Sequence, residues 1–357
     1  MKNNLFSVRS MLSVMMAFML LLVLFEACKK TDDPVVVPAD KTKLKARLDS
    51  ANAGYALAVE GTQVGQFEAG SKAVFKAAID AATTVYNNTN AVQSDVNNAY
   101  TNLGQAGLLF LSKQVQQIAP TNLVLYMKMD GDTKDASGKG FDGSLKAGAA
   151  IWGAGTPTLT KDRYGVDNKA YHFFKGGNIE VPYNTALNPS KEITVSLWAR
   201  MDSSNANNYM LGLNRWNGYK FNIQQANYAF FTIKTGTGII DHDNADPTLD
   251  LNKWYHITVT YKAGNMNFYL NGTLVKNWPN LTGDPVAVKS TISLAIGQDL
   301  PTSLYKLDEA SQKDDADGNN FYGPWGGYFR GDLDEVRIYN VALSDTQVKS
   351  IYTAEKP

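Results

Sequence analysis

The chain of 357 residues has a single cysteine, Cys28, so no disulfide can close within it. Its three histidines, His172, His242 and His256, lie far apart and lack the i, i+4 spacing of a zinc helix, which argues against a histidine-centred metalloenzyme. Charge of one sign is missing too, since 34 Lys and Arg balance 34 Asp and Glu. That balance leaves no basic footprint for nucleic acid. The apolar run "MLSVMMAFMLLLVLF" at 11–25 stops after 15 residues, short of the roughly 20 that span a bilayer. Neither a serine-elbow motif nor a catalytic-cysteine motif is visible.

What is present begins with targeting. Lys2 and Arg9 flank the apolar run, so residues 1–27 read as a signal segment, and Cys28 follows directly after "LFEA". "LFEAC" resembles a lipobox, with Ala27 as the small residue before the cut and Phe25 and Glu26 as departures from the commonest pattern. The resemblance implies a lipoprotein whose Cys28 carries the membrane anchor; an uncleaved N-terminal helix is the alternative. Residues 28–40, with "KKTDDPVVVPAD" after the cysteine, read as an extended tether. The charged stretch is similar to the export tag of Bacteroidota surface lipoproteins, which implies an outer-membrane anchor facing the cell surface; a solvated linker is the plain alternative. Residues 28–357 carry 32 basic and 33 acidic side chains and stay near neutral.

From 41 to 118 the apolar residues recur at helical spacing: Leu44, Leu48, Ala51 and Tyr55; Val74, Phe75, Ala78, Ile79, Ala82 and Val85; Val92, Val96, Ala99, Tyr100 and Leu103. Three such helices close a small bundle. Residues 64–103 resemble the FIVAR-type repeat of extracellular bacterial proteins that handle saccharides, although a spacer with no chemistry of its own fits the residues equally.

Beyond residue 120 the period changes to two. "NLVLYMKM", "EITVSLWARM", "GYKFNIQ", "NYAFFTIK", "WYHITVTYK", "NMNFYLNG" and "TISLAIG" read as short strands between Gly, Asn, Asp and Pro clusters. Residues 254–262 and 265–271 form the clearest hairpin, and Ser344 with Gln347 predicts a capping box for one last helix. Many strands without intervening helices indicate an all-β antiparallel sandwich over 120–355.

"LYMKMDGDTKDASGKGFDG" at 125–143, "WYHITVTY" at 254–261, "YLNG" at 269–272, "LAIG" at 294–297 and "FRGDLDEVRIYNVALS" at 329–344 together resemble the LamG-like, concanavalin A-type jelly roll. Lys139 and Phe141 stand where the family usually shows Asn, and Met129 replaces an aromatic. The resemblance implies a structural calcium near the first and last strands, with Asp130 and Asp334 as ligands and Asp142 as a third. Strand alternation places Asp334 on the face of Val336 and Ile338, and Glu335 beside Arg337 on the other. A capped turn without metal is the alternative for Asp334. The acidic loop at 313–320 lacks the closing Glu of an EF-hand and reads as a solvated insertion.

Glycosidases of this architecture show Glu-x-Asp-x-x-Glu, two carboxylates about 5.5 Å apart for retention. Here Asp332 opens the pattern and Arg337 closes it, which points away from a glycoside hydrolase. For glycan binding, Trp216 and Tyr219 in "NRWNGYK" and Tyr322 and Trp325 in "NNFYGPWGGYF" are the candidates, because exposed rings stack on sugar C–H faces while Asn and Asp bond hydroxyls. The alternative is that they cover an open end of the sandwich. Trp152, Trp198, Trp254 and Trp278 read as packing residues. The expectation is therefore a surface lipoprotein that captures glycan for a neighbouring uptake or degradation system, itself a possible protein partner. An adhesion module for a protein ligand is the second reading.

Overall fold

Helical periodicity and strict alternation each produce the element they predict. The computed structural model describes residues 38–205, 207–288, 292–305 and 327–357. Cys28, most of the tether, the 313–320 loop, Tyr322 and Trp325 lie outside the described residues. No helix among the described residues is long and apolar enough to cross a membrane.

Helices α1 (Thr42–Leu57), α2 (Ser71–Asn87) and α3 (Gln93–Leu111) bury Leu44, Leu48, Phe75, Ile79, Val96, Leu103 and Phe110 in one core. Phe67, from the loop before α2, stacks on Phe110 at 4.2 Å and closes its end. Val74 departs from the predicted stripe and is exposed.

Two antiparallel sheets follow. One runs in the order β13 (Thr273–Leu281), β12 (Gly264–Leu270), β11 (Trp254–Lys262), β6 (Glu192–Met201), β15 (Gly331–Tyr339), β4 (Ala170–Phe173) and β3 (Thr158–Thr160), with β1 (Leu123–Met127) also pairing β15. The other runs β10 (Gly238–Asp243), β9 (Ala229–Thr235), β8 (Tyr219–Ile223), β7 (Asn208–Leu213), β14 (Leu294–Ile296), β5 (Asn178–Val181) and β2 (Ser144–Lys146). Between them Leu125, Phe173, Val195, Leu197, Leu211, Phe221, Phe231, Val259, Phe268, Ile296 and Ile338 are fully buried. Each such side chain contributes about 1.5–3 kcal/mol by leaving water.

The last helix, α4 (Asp345–Glu355), starts on the predicted capping box. It lies over the outer face of the eight-stranded sheet, where Val348 and Ile351 pack with Tyr269, Tyr339 and Leu343. The same helix ties in the N-terminal bundle: Ser350 Oγ accepts from the Gln116 amide at 2.7 Å, and Lys356 meets Glu68 at 3.1 Å.

Strand β15 corrects one expectation. Glu335 adopts φ 55°, and the register to β6 shifts between Asp334 and Arg337, so a bulge inserts one extra residue. Parity therefore flips along the strand. Leu333, Val336 and Ile338 face the core, whereas Asp332, Asp334 and Arg337 pair across to Arg200, Trp198 and Ser196 and share the outer face. Asp334 is buried as expected, but under α4 and the 161–167 loop rather than in the sandwich.

Candidate functional site

The acids of β15 all have partners. Asp332 accepts from Arg200 Nε at 2.7 Å and lies 2.8 Å from His172 Nδ1. Asp334 pairs with Arg163 Nη1 at 2.5 Å. Glu335 pairs with Arg337 at 2.8 Å and accepts from the Tyr126 hydroxyl, while Arg337 reaches Glu355 at 2.5 Å. Three carboxylates thus face two guanidiniums in a buried patch. Burial drives the Asp334 carboxyl up to about 8, Glu335 adds to the rise, and Arg163 opposes it. The Glu335 to Arg337 pair forms as expected but is buried, not solvent-screened.

The structure does not gather the acids expected to hold calcium. Asp130 is half-exposed beside Lys169 at 3.5 Å, Asp142 accepts from the Asp135 amide at 2.8 Å, and Asp334 is committed to Arg163. Among the described residues, no group of three His, Cys, Asp or Glu is placed to hold a metal ion. A residue outside the expected set organises the Gly-rich turn instead. Asp135 accepts from the amides of Tyr126, Ser137 and Phe141 at 3.0, 2.9 and 3.0 Å and from Ser137 Oγ at 2.7 Å. Burial raises its carboxyl, yet these bonds win and hold it below the ordinary value.

A different surface has the makings of a ligand site: the outer face of the seven-stranded sheet. Because side chains alternate, β8 sends Tyr219, Phe221 and Ile223 inward and Lys220 and Asn222 outward. Register lines up two rows across four strands, Tyr209, Asn222, Phe230 and Asp243 in one and Gly212, Lys220, Thr232 and Asp241 in the other. Of these, Tyr209, Lys220, Asn222, Phe230, Asp241 and Asp243 line a cleft of about 460 Å³, together with Trp216, Gln224 and Tyr228.

Trp216 reaches the cleft from a 3₁₀ turn, Arg215–Asn217, that joins β7 to β8. Asn214 and Arg215 enter this turn with φ 57° and 48°, sparsely populated for side-chain-bearing residues. The turn is anchored from below: buried Arg215 pairs with buried Asp299, which also accepts from the Tyr305 hydroxyl. Gly212 permits this, since a Cβ there would lie 2.5 Å from the Asp299 carbonyl oxygen. Trp216 in turn packs beside Trp152, Leu304 and Tyr305.

Lys220 is 4% exposed, and its ammonium sits 4.9 Å from the Phe230 ring, 5.6 Å from Tyr209 and 5.9 Å from Trp216. Among the described residues it makes no hydrogen bond or ion pair. Burial lowers its pKa to about 8, with Asp241 and Asp299 opposing. Asn222, also 4% exposed, has its Oδ1 buried without a partner. The rim carboxylates are engaged: Asp241 accepts from Thr232 Oγ1, and Asp243 from Gln224 Nε2 at 2.6 Å.

Of the expected glycan contacts, Trp216 therefore lines the cleft and Tyr219 does not. Tyr219 is in the core and donates to the Leu187 carbonyl at 2.7 Å, because the strand begins at Tyr219 itself. Lys220, Asn222, Tyr228 and Phe230 were not singled out from the sequence. Their only signal was alternation, which reads as an ordinary polar face. A larger pocket of about 650 Å³ lies in the helical bundle; its lining is mainly apolar, with Phe67, Phe75, Leu103 and Phe110, and carries Arg47, Ser50, Thr101 and Gln105 among them.

Comparison with known proteins bears on this region. The family model described as the concanavalin A-like lectin/glucanases superfamily matches residues 174–308, a span that contains the whole cleft. Among solved structures, Domain 4 of AbnA, a GH43 extracellular arabinanase from Geobacillus stearothermophilus, in complex with arabinotriose, is 19% identical with a TM-score of 0.47, covering 65% of this chain and 98% of that one. The binding domain of Paraclostridial Mosquitocidal Protein 1 is 20% identical at 0.45, covering 65% and 52%. The binding domain of Botulinum neurotoxin DC, in complex with rat synaptotagmin II, is 14% identical at 0.44, covering 66% and 52%. This chain thus spans only about half the length of the two toxin chains. The described architecture is an antiparallel jelly-roll sandwich preceded by a helical module, and residues 174–308 of it are similar to the concanavalin A-like superfamily model.

Proposed function

We propose that the protein binds glycan without cleaving it, through the cleft on the outer face of the seven-stranded sheet. The observation that carries this reading is the cleft's composition. Trp216, Tyr228 and Phe230 offer ring faces, and Asn222, Asp241, Asp243 and Gln224 offer hydroxyl partners on rigid adjacent strands. The engagement of Asp332, Asp334 and Glu335 by Arg200, Arg163 and Arg337 supports binding over hydrolysis, because each is tied into an ion pair on the other sheet and none lines the cleft.

The lipobox-like "LFEAC" and the tether after it support a lipid-anchored surface protein of Bacteroidota type. The FIVAR-like helical module would then hold the binding domain away from the membrane, where captured polysaccharide passes to an uptake or degradation system. A glycan array with the purified protein tests the binding: retention of a saccharide class, lost in Trp216→Ala, is expected. An empty array, or release of reducing ends from a retained glycan, would count against it. Incorporation of a palmitate analogue, abolished in Cys28→Ala, tests the anchor.

A further inference from the structure

The proposed glycan reading leaves one feature of the cleft unused. Lys220 is a nearly buried cation that, among the described residues, lies against ring faces without a hydrogen bond or ion pair, and Asn222, two residues on and on the same face, presents a buried acceptor with no donor. Buried charge normally carries a counter-charge, and buried acceptors a donor. Among the described residues no carboxylate pairs with the ammonium, on which Asp241 and Asp299 act only from a distance, and no donor reaches Asn222 Oδ1. Arg215 and Asp299, on the side of the Trp216 turn, pair with each other, and Asp299 also accepts from Tyr305. Asp241 stands across β9 from Lys220 and takes its bond from Thr232. Asp243 bonds Gln224 at the far edge. The cleft is therefore bipolar, with a cationic, aromatic end at β8 and an acidic rim at β10.

Resting on that glycan reading, we propose that the cleft selects saccharides bearing an anionic substituent, a ring carboxylate or a sulfate ester. The anion is received by the Lys220 ammonium while a neighbouring hydroxyl donates to Asn222 Oδ1. A neutral sugar can accept from the ammonium through its hydroxyls but brings no counter-charge. An acidic sugar supplies the missing charge in a desolvated site, where such a bond is strongest. The rings around Lys220 then stack the sugar's C–H face, and the β10 acids are left for hydroxyls of the next residue along the chain.

The experiment is a calorimetric titration of the whole protein with four ligands: an oligogalacturonate, its carboxyl-reduced counterpart, a sulfated galactan oligosaccharide and its desulfated counterpart. At least one acidic ligand is expected to bind ~10-fold or more tightly than its neutral match, and the arm that does so identifies carboxylate or sulfate. Lys220→Met should reduce the acidic ligand to the neutral level, and Lys220→Arg should retain the preference. Should Lys220→Met fail to fold by near-ultraviolet circular dichroism, the wild-type pH series decides. Affinity for the acidic ligand should fall as pH rises through about 8, where Lys220 loses its charge, while neutral binding stays flat. Equal binding of acidic and neutral partners, unchanged acidic binding in Lys220→Met, or a flat pH profile would overturn this inference and leave glycan binding standing. Binding of none of the four, together with an empty array, would overturn both.

Discussion

The two outer faces of the sandwich are built from the same alternation and put to different use. On the eight-stranded sheet the polar face is sealed by α4 and the 161–167 loop. Arg163 and Arg337 meet Asp334, Glu335 and Glu355 there, and Trp198 Nε1 donates to Glu355 at 2.9 Å. On the seven-stranded sheet no α-helix among the described residues lies over β8 to β10, and Lys220 and Asn222 line the cleft. Unpartnered atoms occur on both faces, since Asp334 Oδ1 and His256 Nδ1 also lack partners among the described residues. Those two, however, lie beneath the helix where no ligand reaches. A polar group thus reads as structural or functional according to what covers it, not by its residue type.

That contrast makes testable demands, the largest on the sealed face. Arg337→Ala leaves Glu335 and Glu355 buried without their cation and should cost about 3–5 kcal/mol in urea unfolding, while glycan retention by the folded fraction stays unchanged. A loss below about 1 kcal/mol would mean that α4 does not seal the network. On the open face, Trp216→Ala should weaken glycan binding by ~10-fold or more in calorimetry, about 1.4 kcal/mol. Tyr219→Phe sharpens the boundary between core and cleft. It should cost about 1 kcal/mol for the lost bond to Leu187 and leave affinity where it was.

The smallest effect is on pH. The hydrogen bond to Asp332 raises the His172 pKa, and burial opposes it. His172 is partly exposed, so only the direction follows: its contribution is complete below the unfolded value of about 6.5 and is lost as pH rises through the folded one. Denaturation midpoints should fall with rising pH over that window, and His172→Gln should flatten the slope.

Much of the fold was legible because local rules agreed with the final packing. The hairpin of β11 and β12, the stripes of α1 to α3 and the Ser344 cap were all visible in short stretches of sequence. Strand β7 was not: it carries a bulge between Tyr209 and Leu211, and all six of its residues are buried, so no alternation shows. The bulge at Glu335 was equally hidden, and it reversed the side on which Asp334 lies. Long-range partners explain the other misses. Arg163, which claims Asp334, is 171 residues away, and nothing near either residue announces the pair. In the cleft, Trp216 was legible as an aromatic in a polar loop. Lys220 and Asn222 were not, because alternation presents them as a solvated face, whereas in the fold both are buried and Lys220 lies against Tyr209, Trp216 and Phe230.

The central claim, that the open face and not the sealed one meets the ligand, is tested most directly by hydrogen exchange with and without a glycan retained on the array. Added protection is expected at the cleft segments of 207–243, with 161–167 and 345–355 unchanged. Protection at α4 or within the helical bundle, with 207–243 unmoved, would contradict it.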